Sequence, residues 1–540
     1  MINYVYLLIV CFVFQFSSFA LAENANFTTS LFSGSGNCAR CHDNLMDNTG
    51  KNVSIVRDWS ASMMANSAKD PFWKAKVASE LARNPQLSTL INDKCTRCHA
   101  PMANVEIIDV ESSELYVLGN NGILNSNNSM HNAAINGVSC TLCHQIADDD
   151  NLGTLKHFSG HYSINTARAI YGQYSDIFER PMFNNTGYIP TYSAHISDSA
   201  LCATCHNLKT PFVNKSGKVL TTTLDSEFPE QMPYTEWQNS IFDDAGSNKK
   251  SCQDCHMPET TSKISNRPRW LRAREGFAKH ELVGANTIKL AILRDNASEL
   301  NVTESNFELS ISRARAMLKS SANVEIVSAS VKDGVCESRV KVNNLSGHKT
   351  PTSYPSRRVW INFKAIDNSS NVIFESGRIN PDGSIEGADN DYDQNTFEPH
   401  YELITSEDQV QIYETIMGDS DGNITYTLLR GATYLKDNRI TPQGFEKSEV
   451  PADVAVHGKA NTDADFNLGS DEIVYRFPVP SVGELEIQVT LNYQIIMHGF
   501  LQDLYKDKTL PEVKIFKRMY EDQPFKHEKI ADTHAKVVTK

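Results

Sequence analysis

Charge is missing from one end of this sequence, and basic charge is scarce over the whole. None of the first 22 residues is Lys, Arg, Asp or Glu, and Tyr4 to Ala22 is almost entirely apolar, closing on Ala20-Leu21-Ala22. An apolar run ending in small-x-small residues reads as a secretory leader, cut between Ala22 and Glu23. It is too short and too close to that cut to be read as a membrane span. What it lacks is a Lys or Arg ahead of the run, the feature that leaves an uncleaved anchor as the alternative. No small residue precedes Cys11 in Leu8-Ile9-Val10, which argues against a lipid anchor. The full chain of 540 residues carries 51 Lys and Arg against 65 Asp and Glu, a formal charge of −14. Such a balance argues against nucleic-acid binding and favours solubility or basic partners.

Cysteine is not abundant either, yet ten of the twelve are accounted for by one pattern. Each of five pairs has two residues between its cysteines and a histidine directly after. They are Cys38/Cys41/His42, Cys95/Cys98/His99, Cys140/Cys143/His144, Cys202/Cys205/His206 and Cys252/Cys255/His256. This is the attachment signature of c-type haem. Two thiols add to the vinyl groups of the porphyrin, and the next residue then lies beneath the iron as its proximal imidazole ligand. Structural zinc needs two pairs per metal and no histidine at a fixed place, and a disulfide framework gives no reason for the histidine at all. Five covalently attached haems c are therefore expected. Of the remaining cysteines, Cys11 leaves with the leader, and Cys336 in Val335–Val340 reads as a small buried hydrophobe.

All five motifs lie between Cys38 and His256, spaced roughly forty to sixty residues apart. So little polypeptide per haem implies a loop- and helix-rich domain. Helices are expected around Arg57–Arg83, broken near Asp70-Pro71, and around Tyr234–Asp243. After about residue 300 the texture becomes strand-like. Val324–Val331 and Val335–Val342 flank Asp333-Gly334 as a hairpin. Further strands are expected at Arg358–Ile366, Val372–Glu375, Gln409–Ile416, Ile424–Leu429, Glu472–Phe477 and Glu484–Gln494, which together suggest a β-sandwich. The last forty residues read as helical and charged. The expected fold is thus mixed, with a leader (1–22), a pentahaem cytochrome c domain (23–295), a sandwich-like all-β domain (300–500) and a helical C-terminal extension (501–540). The acidic stretch Asp382–Asp393 is a candidate Ca²⁺ site.

An iron with two protein ligands passes electrons, whereas one with an open face can bind substrate. Eleven histidines remain beyond the proximal five. His131, nine residues before Cys140, His195, seven before Cys202, and His280 in Phe277-Ala-Lys-His280 stand closest to the motifs as sixth ligands. His348, in Gly347-His348-Lys349-Thr350-Pro351, is a turn histidine able to reach back to a haem. His157 and His161 read as loop residues, and His400, His457, His498, His527 and His534 as surface residues. Met64, in Trp59-Ser-Ala-Ser62-Met63-Met64-Ala65, is a methionine candidate.

Three segments resemble the multihaem cytochrome c-554 family, which overlaps with hydroxylamine oxidoreductase-like cytochromes. They are Gly137-Val-Ser-Cys140-Thr-Leu-Cys143-His144, Tyr234-Thr-Glu-Trp237-Gln-Asn-Ser240 and Cys252-Gln-Asp-Cys255-His256-Met257-Pro258. The resemblance spans roughly Cys38 to Asn286 and implies electron transfer through haems stacked in close pairs, with other redox proteins as partners. In that family a Trp-x-x-Ser-x-His-Ala helix supplies a distal histidine. Met64 stands at that place here, so the resemblance implies His/Met ligation of one haem. Gly347–Thr352 with Arg357-Arg358-Val-Trp360 resembles the β-domain appended to many exported multihaem cytochromes. The competing function is a redox enzyme of the nitrite or hydroxylamine type. Pentahaem nitrite reductases place a lysine where all five motifs here have histidine, which weighs against it.

Overall fold

The computed structural model describes residues 25–303, 306–479 and 483–538; the expected leader, its cut and Cys11 lie outside them. Each Cys-x-x-Cys-His motif sits on a short helix: Ser35–His42, Ser88–His99, Cys140–Cys143 with His144 at its end, Ser199–His206 and Cys252–His256. Irregular chain and two-stranded ribbons connect them. The break expected near Asp70-Pro71 is real, since one helix covers Ile55–Ser60 and the next Pro71–Arg83. Pro71 lacks the N–H that the first turn cannot use, and the Asp70 carboxylate accepts from Phe72 N–H at 2.9 Å, so the pair starts a helix rather than continuing one. The second expected helix is shorter, Pro233–Gln238, closed by a turn in which Ser240 N–H donates to the Trp237 carbonyl.

The later half is a sandwich of two sheets. Its strands are β1 (Ala322–Lys332), β2 (Val335–Asn344), β3 (Arg358–Asp367), β4 (Val372–Ser376), β5 (Leu403–Ile404), β6 (Ile412–Gly418), β7 (Thr433–Asp437), β8 (Ser470–Pro478), β9 (Glu484–Gln494) and β10 (Glu528–Val538). The smaller sheet runs β5-β8-β2-β1, and the larger β7-β6-β3-β9-β10, with β4 sharing the edge of β3 that β6 also uses. Lys332 pairs with Val335 across Asp333 and Gly334, both at positive φ (53° and 75°), the two-residue turn that matches strand twist. The sheets close on aromatic pairs: Phe363 of β3 stacks on Tyr475 of β8 at 4.0 Å, and Phe374 of β4 on Phe477 of β8 at 4.5 Å. Cys336 is fully buried in this core.

Three expectations need correcting. Ile424–Leu429 is not a strand beyond one bridge from Ile424 to Gly418, because its backbone is used elsewhere. Leu428 N–H donates to Glu80 at 2.7 Å, and the Leu429 carbonyl accepts from Val213 N–H at 2.8 Å. The C-terminal stretch is helical over His498–Tyr505 and Pro511–Glu521 but ends in β10, which pairs antiparallel with β9. Most carboxylates of Asp382–Asp393 are spent internally, and among the described residues they do not converge as a metal site. Asp391 grips the Arg358 guanidinium with both oxygens (2.7 and 2.8 Å) and accepts from Ile385 N–H, while Asp382 and Asp393 cap their own turns.

The two halves share one apolar core. Phe72, on the helix between the first two motifs, lies 5.2 Å from Phe516 and 5.8 Å from Tyr354, both from the later half. Among the described residues no helix is long and apolar enough to cross a membrane. Phe363→Ala should destabilise the chain by about 3–5 kcal/mol, since it removes a buried ring from both sheets' contact. A shift of the guanidinium unfolding midpoint, followed by far-UV circular dichroism, checks this.

Candidate haem-binding cavity

A helix brings residues i, i+3 and i+4 onto one face. Cys-x-x-Cys-His on a helical turn therefore presents two thiols and an imidazole side by side. All ten motif cysteines and all five following histidines line one continuous cavity of about 1470 Å³. Its apolar walls include Trp59, Phe72, Trp73, Ile91 and Trp237.

The imidazoles are held in one tautomer by distant backbone. His42 Nδ1 donates to the Ile264 carbonyl (2.7 Å), His99 to Ser67 (3.1 Å), His144 to Tyr171 (2.6 Å) and His256 to Val283 (2.5 Å). A proton fixed at Nδ1 leaves the Nε2 lone pair free for a metal. Burial pushes His99 and His206 down to about 4 and also lowers His42 and His144. These rings are neutral near pH 7, the form that ligates. Burial likewise pushes the Cys95 and Cys143 thiols up to about 12.

Two more histidines share that posture. His280 Nδ1 donates to the Ala278 carbonyl at 3.0 Å, and His348 Nδ1 to that of Lys349 at 3.1 Å. His280 faces His144 with ring centres 6.2 Å apart and planes 19° from parallel; His348 faces His256 at 6.4 Å and 17°. Two metal–nitrogen bonds of about 2 Å, plus roughly 1 Å from each nitrogen to its ring centre, sum to about 6 Å. Each pair is thus spaced to hold one iron between its rings. Burial lowers His280 to about 4 and lowers His348 as well.

The other sixth-ligand candidates fall differently. Met64 lines the cavity. His131 and His195 are not among its lining residues. His131 keeps the Nδ1 anchor, to the Ile123 carbonyl at 3.1 Å. His195 has both nitrogens taken, Nδ1 by Ser193 Oγ (2.7 Å) and Nε2 by the Ile146 carbonyl (3.0 Å), which leaves no lone pair for iron. His400, read as a surface residue, is buried in the sandwich. Asn438 and Gln411 both turn amide N–H toward its Nδ1, so Nε2 carries the proton and donates to Asp463 at 3.1 Å.

The thiols also report on one another. Cys38 and Cys140 lie within hydrogen-bonding reach, as do Cys98 and Cys205, and Cys202 and Cys252. Cys143 is close enough to Cys205 to feel its charge.

His348 comes from the later half, and a buried ion cluster places it. Glu236, on Pro233–Gln238, sits 2.9 Å from Arg439 Nη1 and accepts from Lys349 N–H at 3.0 Å. Asp437 of β7 accepts from Lys349 Nζ and Arg439 Nη2, both at 2.7 Å. Lys349 follows His348 directly, so this cluster fixes the turn that presents the imidazole.

Paired thiols, neutral imidazoles with free Nε2 atoms and an apolar cavity fit covalently bound haem. Residues 37–145 match the family model described as cytochrome c554 and c-prime. That matched stretch contains the first three Cys-x-x-Cys-His motifs. The chain also matches the crystal structure of a penta-heme cytochrome c552 from Thermochromatium tepidum, at 16% identity and a TM-score of 0.51 over 94% of this chain and 99% of that one. At that identity the likeness shows a shared fold alone. No curated protein matches the sequence. Within the buried ion cluster, burial pushes the Asp437 carboxyl up, but Arg439 and Lys349 outweigh it and hold it well below the ordinary carboxylate value. Its contribution to stability is therefore present above the ordinary carboxylate range and lost as pH falls through and below it. Asp437→Asn should cost about 3–5 kcal/mol at neutral pH, because it strands buried cations. Denaturant titrations of both chains at pH 7 and pH 2 check this, with the gap expected to narrow on acidification.

Proposed function

We propose that this cytochrome is exported and carries five haems c, attached at the five Cys-x-x-Cys-His motifs, through which it moves electrons between redox partners. Support for export is the apolar, uncharged leader sequence and its Ala-x-Ala ending. The single observation that carries the electron-transfer reading is that all fifteen attachment side chains line one cavity. Bound haem supplies a reversible one-electron iron couple.

The chain's own residues set the route and the ligation. Thiols near enough to influence one another's protonation link the first motif to the third, the second to the fourth and the fourth to the fifth. Cys143 also lies within electrostatic reach of Cys205, which relates the third motif to the fourth. His42, His99, His144, His206 and His256 act as proximal ligands. His280 opposite His144 and His348 opposite His256 close two irons against substrate, and Met64 is the methionine available to another.

A second reading, a redox enzyme with one open haem face, is favoured at the second motif. Near Cys95 the cavity wall carries the buried Tyr354 hydroxyl, which has no hydrogen-bond partner. Lys289, paired with Asp70 at 3.1 Å, lies within electrostatic reach of His99 and of Arg357, whose Nε is also unpartnered. Such groups suit an anionic or oxygen-bearing substrate.

Electron paramagnetic resonance and carbon monoxide separate the two. The carrier reading expects only low-spin ferric signals and no carbon monoxide adduct of the reduced chain; a stoichiometric high-spin signal with carbon monoxide binding would favour the enzyme. His348→Ala should open the iron at His256 and convert one haem of five to a high-spin, carbon monoxide-binding form, with the haem count unchanged by pyridine haemochrome assay.

A further inference from the structure

An acidic chain has one face of the opposite sign, and that face adjoins the first haem motif. Lys263, Arg267, Arg269, Arg272 and Arg274 fall within residues 263–274, which contain no Asp or Glu. Arg267, Arg269 and Arg272 are exposed, and among the described residues none of them forms an ion pair with a carboxylate. Arg274 does pair, with Asp176, and that bond ties the run to the segment 174–186. There Arg180 adds a further unpaired, exposed cation, beside the exposed Glu179.

Large rings stand out of this face. Trp270 is 64% and Phe183 52% exposed, both outside the lining of the haem cavity, and Trp270 stands edge to face at 5.1 Å on Phe178, which belongs to that lining. Exposed aromatic groups ringed by arginine are the composition of interface anchors, not of an ordinary solvated surface.

The face is wired to the first motif. The Ile264 carbonyl holds His42 Nδ1 at 2.7 Å, Asn266 N–H donates to the Cys41 carbonyl at 2.8 Å, and Asn266 Nδ2 to that of Asp43 at 2.7 Å. Arg40, inside the first Cys-x-x-Cys, lines the same cavity as Arg267 and Phe178.

We propose that this arginine–aromatic face docks an acidic electron-transfer protein, which exchanges electrons with the chain at the haem on Cys38, Cys41 and His42. The inference rests on the electron-carrier reading and names the class of its partner. Charge complementarity carries it: an acidic partner is repelled by most of a −14 surface and attracted here. One electron leaves the reduced partner and one ferric haem becomes ferrous, with no bond made and no proton moved.

The test uses the full haem-loaded chain and a reduced, small, acidic plant-type ferredoxin as donor, with haem reduction followed by stopped-flow absorbance. The second-order rate is expected to fall as salt is added. In R269E/R272E it should drop on the order of ten-fold or more at low ionic strength and lose most of its salt dependence. R269Q/R272Q should fall between the two, and an unchanged haem spectrum and haem count show that both variants are folded. A donor rate indifferent to these substitutions, or one that rises with salt, overturns the proposal. So does a wild-type dimer that R269E/R272E separates into monomers, or binding of the face to anionic vesicles with no effect on the donor rate. A chain that dithionite cannot reduce would sink the electron-carrier reading itself, whereas reduction by dithionite with no route for the acidic donor sinks only the docking face.

Discussion

The cluster of Glu236, Arg439, Asp437 and Lys349 is the constraint on which the rest of the architecture turns. It joins a helix from the haem half to β7 and to the turn before β3, and all four groups are almost wholly removed from water. Burying two acids and two bases is costly, and such clusters often contribute little net stability. What they do fix is geometry, because any sliding of one half against the other strands a charge. That rigidity suits a turn whose histidine has to meet a second histidine across a gap of one iron. The haem-free half is therefore not an appendage on this reading: it closes one wall of the cavity and supplies a ligand.

The haem half shows what happens to a domain whose core is a cofactor. Its motif cysteines are only partly buried, and its larger apolar side chains form several small clusters instead of one. Helix Pro71–Arg83 is the exception, packed through Phe72 into the core of the later half. Several of the imidazoles are oriented by carbonyls of irregular chain, such as Ile264, Ser67 and Val283. Irregular backbone of this kind is not idle connection, since each such carbonyl selects the tautomer that leaves Nε2 for iron.

How much of this could be read from the sequence depends on range. The attachment motifs were fully legible because the chemistry demands contiguous residues. Local signals were also legible: Asp333-Gly334 specifies its turn, Asp70-Pro71 its helix start, and β9 has the bounds its alternation implies. Elements defined by distant partners were not. Ile424–Leu429 has strand-like residues but spends its backbone on Glu80 and Val213, and β10 is a charged stretch that becomes a strand by pairing with β9. The surroundings of the candidate sixth ligands were illegible for the same reason. His195 is close to its motif in sequence but spends both ring nitrogens on Ser193 and Ile146, whereas the carbonyl that orients His42 lies 222 residues off.

Net charge is the summary most easily over-read. A formal −14 favours basic partners only if an approaching protein samples the whole surface at once. At physiological salt the field of an exposed charge fades within about 8 Å, so a partner at contact distance feels the few charges beneath it. Arg267, Arg269 and Arg272 stand together with no carboxylate paired to them, while acid elsewhere is in part neutralised by partners such as Arg83 with Asp503 and Arg518 with Glu299. An acidic partner at contact is then repelled where unpaired carboxylates lie beneath it and attracted where these arginines do. On the proposed docking, that contrast favours contact at the segment whose Ile264 and Asn266 hold the first motif.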